Sequence, residues 1–194
     1  VTEETSLRAF IAVDIGPEVR KSLGELQERL KRTRADVRWV RPEGIHLTLR
    51  FLGNISAADL AKLEPVLAAA VAGHAPAELS VAGWGTFPNP RRPRVIWVGL
   101  PGAEEKVGGV AEALEKNLIA AGLGPADKPW KPHLTVGRVQ SAKGVDALLK
   151  ALAEEGDQVY GRIRADRLTL FQSRLQRGGA VYTVLKEVPF ASTG

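Results

Sequence analysis

The chain has no cysteine in its 194 residues. That excludes a disulfide framework, a cysteine nucleophile and a thiolate zinc site. Histidine is nearly as scarce, with three residues, too few for a multi-histidine metal cage. The apolar stretch near the start, in "VTEETSLRAFIAVDIGPEV", is short and is cut by Asp14. Neither a signal peptide nor a membrane span is therefore expected. The cytoplasm is the compartment that a cysteine-free chain suits. No glycine- or serine-rich linker divides the sequence. Its midpoint connection, "PNPRRPR" at 88–94, is short and stiffened by prolines that fix φ.

What is present is an ordinary globular balance, 44% hydrophobic and 25% charged, with length enough to bury a core without staples. The formal net charge of +5 suits an anionic partner such as nucleic acid. The arginines are concentrated, most densely in "NPRRPR".

Two of the three histidines open the same phrase, "HLTL" at 46–49 and "HLTV" at 133–136, which sets them 133 − 46 = 87 residues apart. A shift of the whole chain by 87 lays strand-like, helix-like and strand-like segments on one another without a gap. Each half reads strand, helix, strand, helix, strand. The first half places these at 7–14, 17–33, 45–52, 57–72 and 78–87. The second places them at 94–100, 104–121, 132–139, 143–154 and 163–173, followed by a closing strand at 180–188. Helices are read from apolar spacing such as Leu23, Leu26 and Leu30, strands from short β-branched and aromatic runs. The expected organisation is a single bilobal domain over 1–194, with internal repeats at about 7–87 and 94–174 related by a pseudo-two-fold axis.

Alternation along a strand puts His46 and Thr48 on one face and Leu47, Leu49 and Phe51 on the core face. His133 and Thr135 stand likewise against Leu134 and Val136. A two-fold axis would gather two imidazoles and two hydroxyls in one cleft. Such imidazoles can serve as general base and general acid near neutral pH, and the hydroxyls can donate to the oxygens of a phosphate. A lone His-x-Thr in a strand is ordinarily a satisfied half-buried pair. Its recurrence at equivalent places in an otherwise diverged repeat is poorly explained by packing. No acidic cluster lies near either motif, and neither metal nor cofactor is expected.

Further residues stand near this cleft. Arg50 lies on the face of His46 and Thr48 by alternation, which favours contact with substrate. Arg91 and Arg92 in 88–94, and Arg174 and Arg177 in "SRLQRGG" at 173–179, occupy equivalent loops and can track an RNA backbone. Trp39 and Trp130 occupy irregular segments before the motifs, where either can serve as a stacking platform for a base.

The doubled His-x-Thr-x motif, with "RAFIAVDI", "VRWVRPEGIHLTLRFLGNI", "GWGTFPNPRRPRVIWVGL" and "KPHLTVGRV", resembles the 2H phosphoesterases, in particular the RNA 2′,3′-cyclic phosphodiesterases also called 2′-5′ RNA ligases. The resemblance implies a two-lobed, duplicated α+β fold with an antiparallel sheet and flanking helices in each lobe, and a cleft between the lobes that carries both motifs. It implies metal-free hydrolysis of a terminal RNA 2′,3′-cyclic phosphate to a 2′-phosphate, and in some relatives 2′-5′ joining of RNA ends. Carried over, His46 and His133 become the acid–base pair, and Thr48 and Thr135 hold the phosphate. The near-symmetry gives the sequence no means to choose the base; our reading takes His133 as base and His46 as acid. Arg138 matches the family's HxTxxR pattern as a phosphate contact. Strict alternation would turn it away from the cleft unless the strand ends or bulges near Gly137. The expected partner is RNA with a cyclic phosphate end, or a small cyclic nucleotide, acted on by a monomer away from any membrane. The competing class is a non-catalytic module that binds RNA ends in the same cleft.

Overall fold

The computed structural model describes residues 6–177 and 179–191. Gly178, in the second arginine loop, lies outside them, as do 1–5 and 192–194. The order of elements is β1 (Leu7–Val13), α1 (Gly16–Lys31), β2 (Val37–Trp39), β3 (Leu47–Ile55), α2 (Ala57–Val71), β4 (Ala77–Phe87), β5 (Val95–Gly99), α3 (Ala103–Ala120), β6 (His133–Val139), α4 (Val145–Glu155), β7 (Val159–Ala165), β8 (Arg167–Gln176) and β9 (Gly179–Pro189). The helices begin where local chemistry allows. Pro17 sits in the first turn of α1, and Ser56 with Asp59 closes a capping box on α2.

All strand pairings are antiparallel, in two sheets ordered β3-β1-β8-β9 and β2-β6-β5-β4-β7. The fold is α+β, two-lobed and duplicated, but the lobes are not the halves of the sequence. The third strand of the first half, β4, lies in the second sheet; the third strand of the second half, β8, lies in the first. The helices follow the same exchange. α1 packs on β7 and α4, and α3 on α2, β3 and β4. The bidentate Arg29–Glu155 pair, at 2.7–2.8 Å, joins α1 to α4, and Arg29 holds the Glu155 carboxyl below the usual range. Exchange makes each lobe incomplete without the other, which is why no flexible linker was needed.

The pairing corrects two sequence expectations. The strand expected at 163–173 is two strands, broken at Asp166, and they belong to different sheets. The single 87-residue offset also fails. Phe10 pairs with Phe51 and Val95 with Arg138, so β3 maps to β6 at 138 − 51 = 87, but β1 maps to β5 at 95 − 10 = 85. Phe10 also pairs with Phe171 and Val95 with Phe87, which maps β4 to β8 at 171 − 87 = 84. Loops of unequal length absorb the differences.

One continuous core lies on the helix-covered faces of both sheets. It contains Ile11, Val13 and Leu47 from the first and Ile96, Val98, Leu134 and Val136 from the second. The opposite face of the first sheet carries a separate small cluster of Phe10, Ala12 and Phe171, with Tyr182 against it.

Candidate active site

His46 immediately precedes β3 and is buried at 8% exposure. Its ring lies 4.5 Å from that of Phe171, 5.5 Å from Tyr182 and 5.8 Å from Phe10, all on the helix-free face. His133 opens β6, with its ring 5.0 Å from Phe87 and 6.4 Å from Trp97. Phe171 and Phe87 are the equivalent residues of the two exchanged strands, so each imidazole is braced by a phenylalanine from the other half of the sequence. The gap-free alignment hid them by setting Phe87 against Arg174.

Each histidine is oriented in the same way. His46 Nδ1 lies 3.2 Å from the Gly44 carbonyl and His133 Nδ1 2.7 Å from the Lys131 carbonyl, two residues before it in both cases. A carbonyl only accepts, so Nδ1 carries the proton and Nε2 is left to exchange one. Burial pushes the His46 imidazole from 6.5 down to about 4, against an upward pull from the Asp14 carboxylate; Arg20, ion-paired with Asp14, adds a downward push, and the Gly44 bond an upward one. Burial also lowers His133, against the Lys131 hydrogen bond, and the Arg138 guanidinium lowers it further. Both rings are therefore neutral at pH 7 with the cleft empty of anion.

Thr48 and Thr135 follow on the same faces and are half-buried. The motif strands β3 and β6 approach one another. The Trp130 indole N–H, three residues before His133, donates at 3.0 Å to the Thr48 carbonyl. One lobe's motif is thus tied to the approach of the other's.

At the last residue of each motif the strand bulges. Ala12 faces Thr48 but Ile11 faces Arg50, so Leu49 is the extra residue. Trp97 faces Thr135 but Ile96 faces Gly137, so Val136 is the extra residue. These are equivalent positions at the motif offset of 87. Each bulge reverses the alternation beyond it. Arg138 therefore joins the face of His133 and Thr135, as its influence on His133 also indicates.

The same device overturns two expectations in the first lobe. Arg50 does not share the face of His46. It sits opposite Ile11 on the core side at 7% exposure, ion-paired with Glu115 of α3 and donating at 2.8 Å to the Gly124 carbonyl. Phe51 is not core. It lies opposite Phe10 on the cleft face, 65% exposed, its ring 5.9 Å from that of Phe10. The matching residue to Arg50 is Gly137 because β2 packs there: a Cβ on Gly137 would stand 2.8 Å from Val37 Cγ1 and 3.1 Å from Trp39 Cε3.

Trp39 is corrected for the same reason. It pairs with Gly137, opposite the cleft face, and packs against the core. Trp130 also packs against the core, with its N–H already engaged. Arg91 and Arg92 are exposed, their backbone N–H groups donating to Asn89 Oδ1, in the loop that follows Phe87. Arg174 and Arg177 are exposed at the end of β8 and just beyond. Gln27, Glu115 and Tyr182 were not singled out in the sequence. Their partners are two backbone carbonyls, an arginine next to a bulge and a histidine that only the folded register brings to them.

Among the described residues no group of three or more His, Cys, Asp or Glu side chains is arranged to hold a metal ion. No described helix is long and apolar enough to cross a membrane.

The chain is similar to proteins of known kind. The chain is 34% identical over 177 residues to an RNA 2′,3′-cyclic phosphodiesterase of Methanothermobacter thermautotrophicus, covering 91% of this chain and 95% of that one. It is 35% identical over 172 residues to the protein of that name from Aeropyrum pernix, covering 89% and 97%. Among solved structures, a Thermus thermophilus protein superposes with a TM-score of 0.78 at 28% identity, covering 97% of this chain and all of that one. Escherichia coli LigT complexed with 3′-AMP gives 0.77 at 25% identity, covering 96% and 99%. The sequence model of the LigT-like phosphoesterases matches twice, over residues 13–97 and 98–182, and the chain belongs to that family.

Proposed function

We propose that this chain is an RNA 2′,3′-cyclic phosphodiesterase that opens a terminal cyclic phosphate to a 2′-phosphate with two histidines and no metal. The observation that carries the reading is the repeated unit itself. At equivalent places, an imidazole is anchored through Nδ1 to the carbonyl two residues back, and a threonine follows on the same face. The relatives named for this activity support the substrate class.

In this reading the cyclic phosphate lies between the motifs. Thr48 and Thr135 donate to its non-bridging oxygens and stabilise the charge that grows there. One imidazole takes a proton from water as the water oxygen bonds to phosphorus. The P–O3′ bond breaks, and the other imidazole gives its proton to O3′. The product is a 2′-phosphate and a 3′-hydroxyl, and solvent restores both histidines. A 5′-hydroxyl in place of water would make a 2′-5′ linkage by the same step.

Unequal burial supports His46 as the base and His133 as the acid, the reverse of the assignment taken from sequence. His46 is held further towards its neutral form. A bound phosphate raises both imidazoles, and the less depressed one protonates first. Arg138 supplies a cation on the phosphate face, and Arg91 and Arg92 flank it for the RNA chain. Exposed Phe51 takes the stacking role that the sequence suggests for Trp39 and Trp130. The reading takes the chain to work as a monomer in the cytoplasm.

The test is incubation of a short RNA ending in a 2′,3′-cyclic phosphate, with chelator in excess, followed by assignment of the phosphate position. The expected product carries a 2′-phosphate. A 3′-phosphate would mean that O2′ leaves, and an uncleaved ring would remove the activity.

A further inference from the structure

β2 is three residues long and forms the edge of its sheet beside β6. Its ends are pinned: Val40 N donates to the Val136 carbonyl at 3.0 Å, and Gln140 N donates to the Asp36 carbonyl at 2.8 Å. Val37 and Trp39 pack against the core. Arg38, between them, is therefore turned to the other face, exposed and directly opposite Arg138. Two like charges facing each other across an antiparallel pair repel. Among the described residues neither takes part in an ion pair, with Asp36 or with any other carboxylate.

The equivalent place in the first lobe has no such pair. There β3 is itself the edge strand, and the residue matching Arg138 is Phe51. The two rims of a duplicated cleft have thus become chemically different, one aromatic and one doubly cationic.

Along β6 the cleft face carries His133, Thr135 and, past the bulge, Arg138 in succession. Each step is about 7 Å. A phosphate held at Thr135 leaves the next one along an extended strand at the level of the two guanidiniums. Resting on the activity proposed above, we infer that Arg38 and Arg138 form a second anion subsite, which takes the internucleotide phosphate one residue upstream of the cyclic end. Its ligand is a polynucleotide phosphodiester, gripped by charge-assisted hydrogen bonds from both sides. A cyclic mononucleotide has no such group, so the subsite sets the preference for RNA ends over small cyclic nucleotides.

The test compares wild type with Arg38→Gln, an exposed substitution that leaves packing alone. Substrates are a 2′,3′-cyclic mononucleotide, a short RNA ending in the cyclic phosphate, and the same RNA with a neutral methylphosphonate at its last linkage. In wild type the neutral linkage should lower kcat/KM about tenfold. In Arg38→Gln it should cause little further loss, and the preference for RNA over the mononucleotide should shrink about tenfold. The salt dependence of RNA binding should flatten by roughly 0.7 in log–log slope, the value for one phosphate that is no longer neutralised. An equal methylphosphonate penalty in both proteins, or an unchanged RNA preference, would overturn the subsite. If wild type opens none of the rings, the proposed activity fails. Anisotropy of the labelled RNAs bearing a 2′-phosphate then still decides the subsite by the same comparison.

Discussion

The side-chain amide of Gln27 on α1 donates at 2.8 Å to the backbone carbonyl of Val136, the bulged residue of β6. The same nitrogen donates at 2.6 Å to the Val40 carbonyl, and the residue is 2% exposed. A buried amide with both donors engaged fixes the point at which β6 reverses its faces. The reversal brings Arg138 into the cleft. Gln27→Met keeps the volume and removes both donors. It should destabilise the fold by about 2 kcal/mol and also remove most of what Arg138 contributes to kcat/KM. A double-mutant cycle checks this. Gln27→Met combined with Arg138→Gln should be little slower than Arg138→Gln alone, whereas fully additive losses would give Gln27 a packing role only.

Arg50 gives the opposite pattern. Its guanidinium is buried against Glu115 and the Gly124 carbonyl, tying the β3 bulge to α3. Arg50→Met leaves Glu115 without its partner and should cost about 2–4 kcal/mol, the low end reflecting the partial exposure of Glu115. KM for a cyclic-phosphate RNA should change little at a temperature where the variant is folded. Chemical denaturation together with steady-state kinetics reads both quantities. A raised KM without lost stability would return Arg50 to the cleft.

Phe51 should behave as a surface residue for stability and as a contact for substrate. At 65% exposure, Phe51→Ala should move stability by less than about 0.5 kcal/mol. Loss of base stacking should lower affinity by about 1–2 kcal/mol, seen as weaker binding of a 2′-phosphate-ended RNA. A large drop in melting temperature with unaltered binding would restore it to the core.

The pH dependence follows from which histidine must be neutral. With His46 as base, kcat/KM rises as pH climbs through the His46 pKa of about 4. With His133 as acid, it falls as pH climbs through a pKa lowered from 6.5. The profile should be a bell with its maximum between about 4 and 6.5. Arg138→Gln removes a cation that depresses His133, so the alkaline limb should move to higher pH while the rate falls. A maximum above pH 7 in wild type would contradict the burial of both rings.

The sequence made the duplication, the helices and most strands legible, because apolar period and a repeated phrase are local signals. That His46 shares a face with Thr48, and His133 with Thr135, was legible for the same reason. The exchange of β4 and β8 was not, because strand partners are chosen by long-range packing that leaves no mark on a strand's own pattern. Asp166 is a single residue between two strands that enter different sheets, and no turn composition announces it.

The facing of Arg50, Phe51 and Arg138 was misread or left open for one reason. Alternation holds only while the ladder is regular. "HLTLRF" and "HLTVGR" carry no glycine or proline at the bulged residue itself, so Leu49 and Val136 read as ordinary strand positions. The bulges are held from outside, by Gln27 in one lobe and by the Arg50–Glu115 pair in the other. Gly137 was the one local hint, and its meaning lies in the approach of Val37 and Trp39.

The measurement that bears most directly on the account is single-turnover opening of a 2′,3′-cyclic phosphate RNA by wild type, His46→Ala and His133→Ala. Folding of each is checked by circular dichroism, and RNA binding is measured alongside. The account predicts that each substitution lowers the rate by at least about a hundredfold while RNA still binds, and that chelator changes nothing in wild type. Near-wild-type turnover in either variant, or loss of wild-type activity with chelator, would contradict catalysis by the histidine pair.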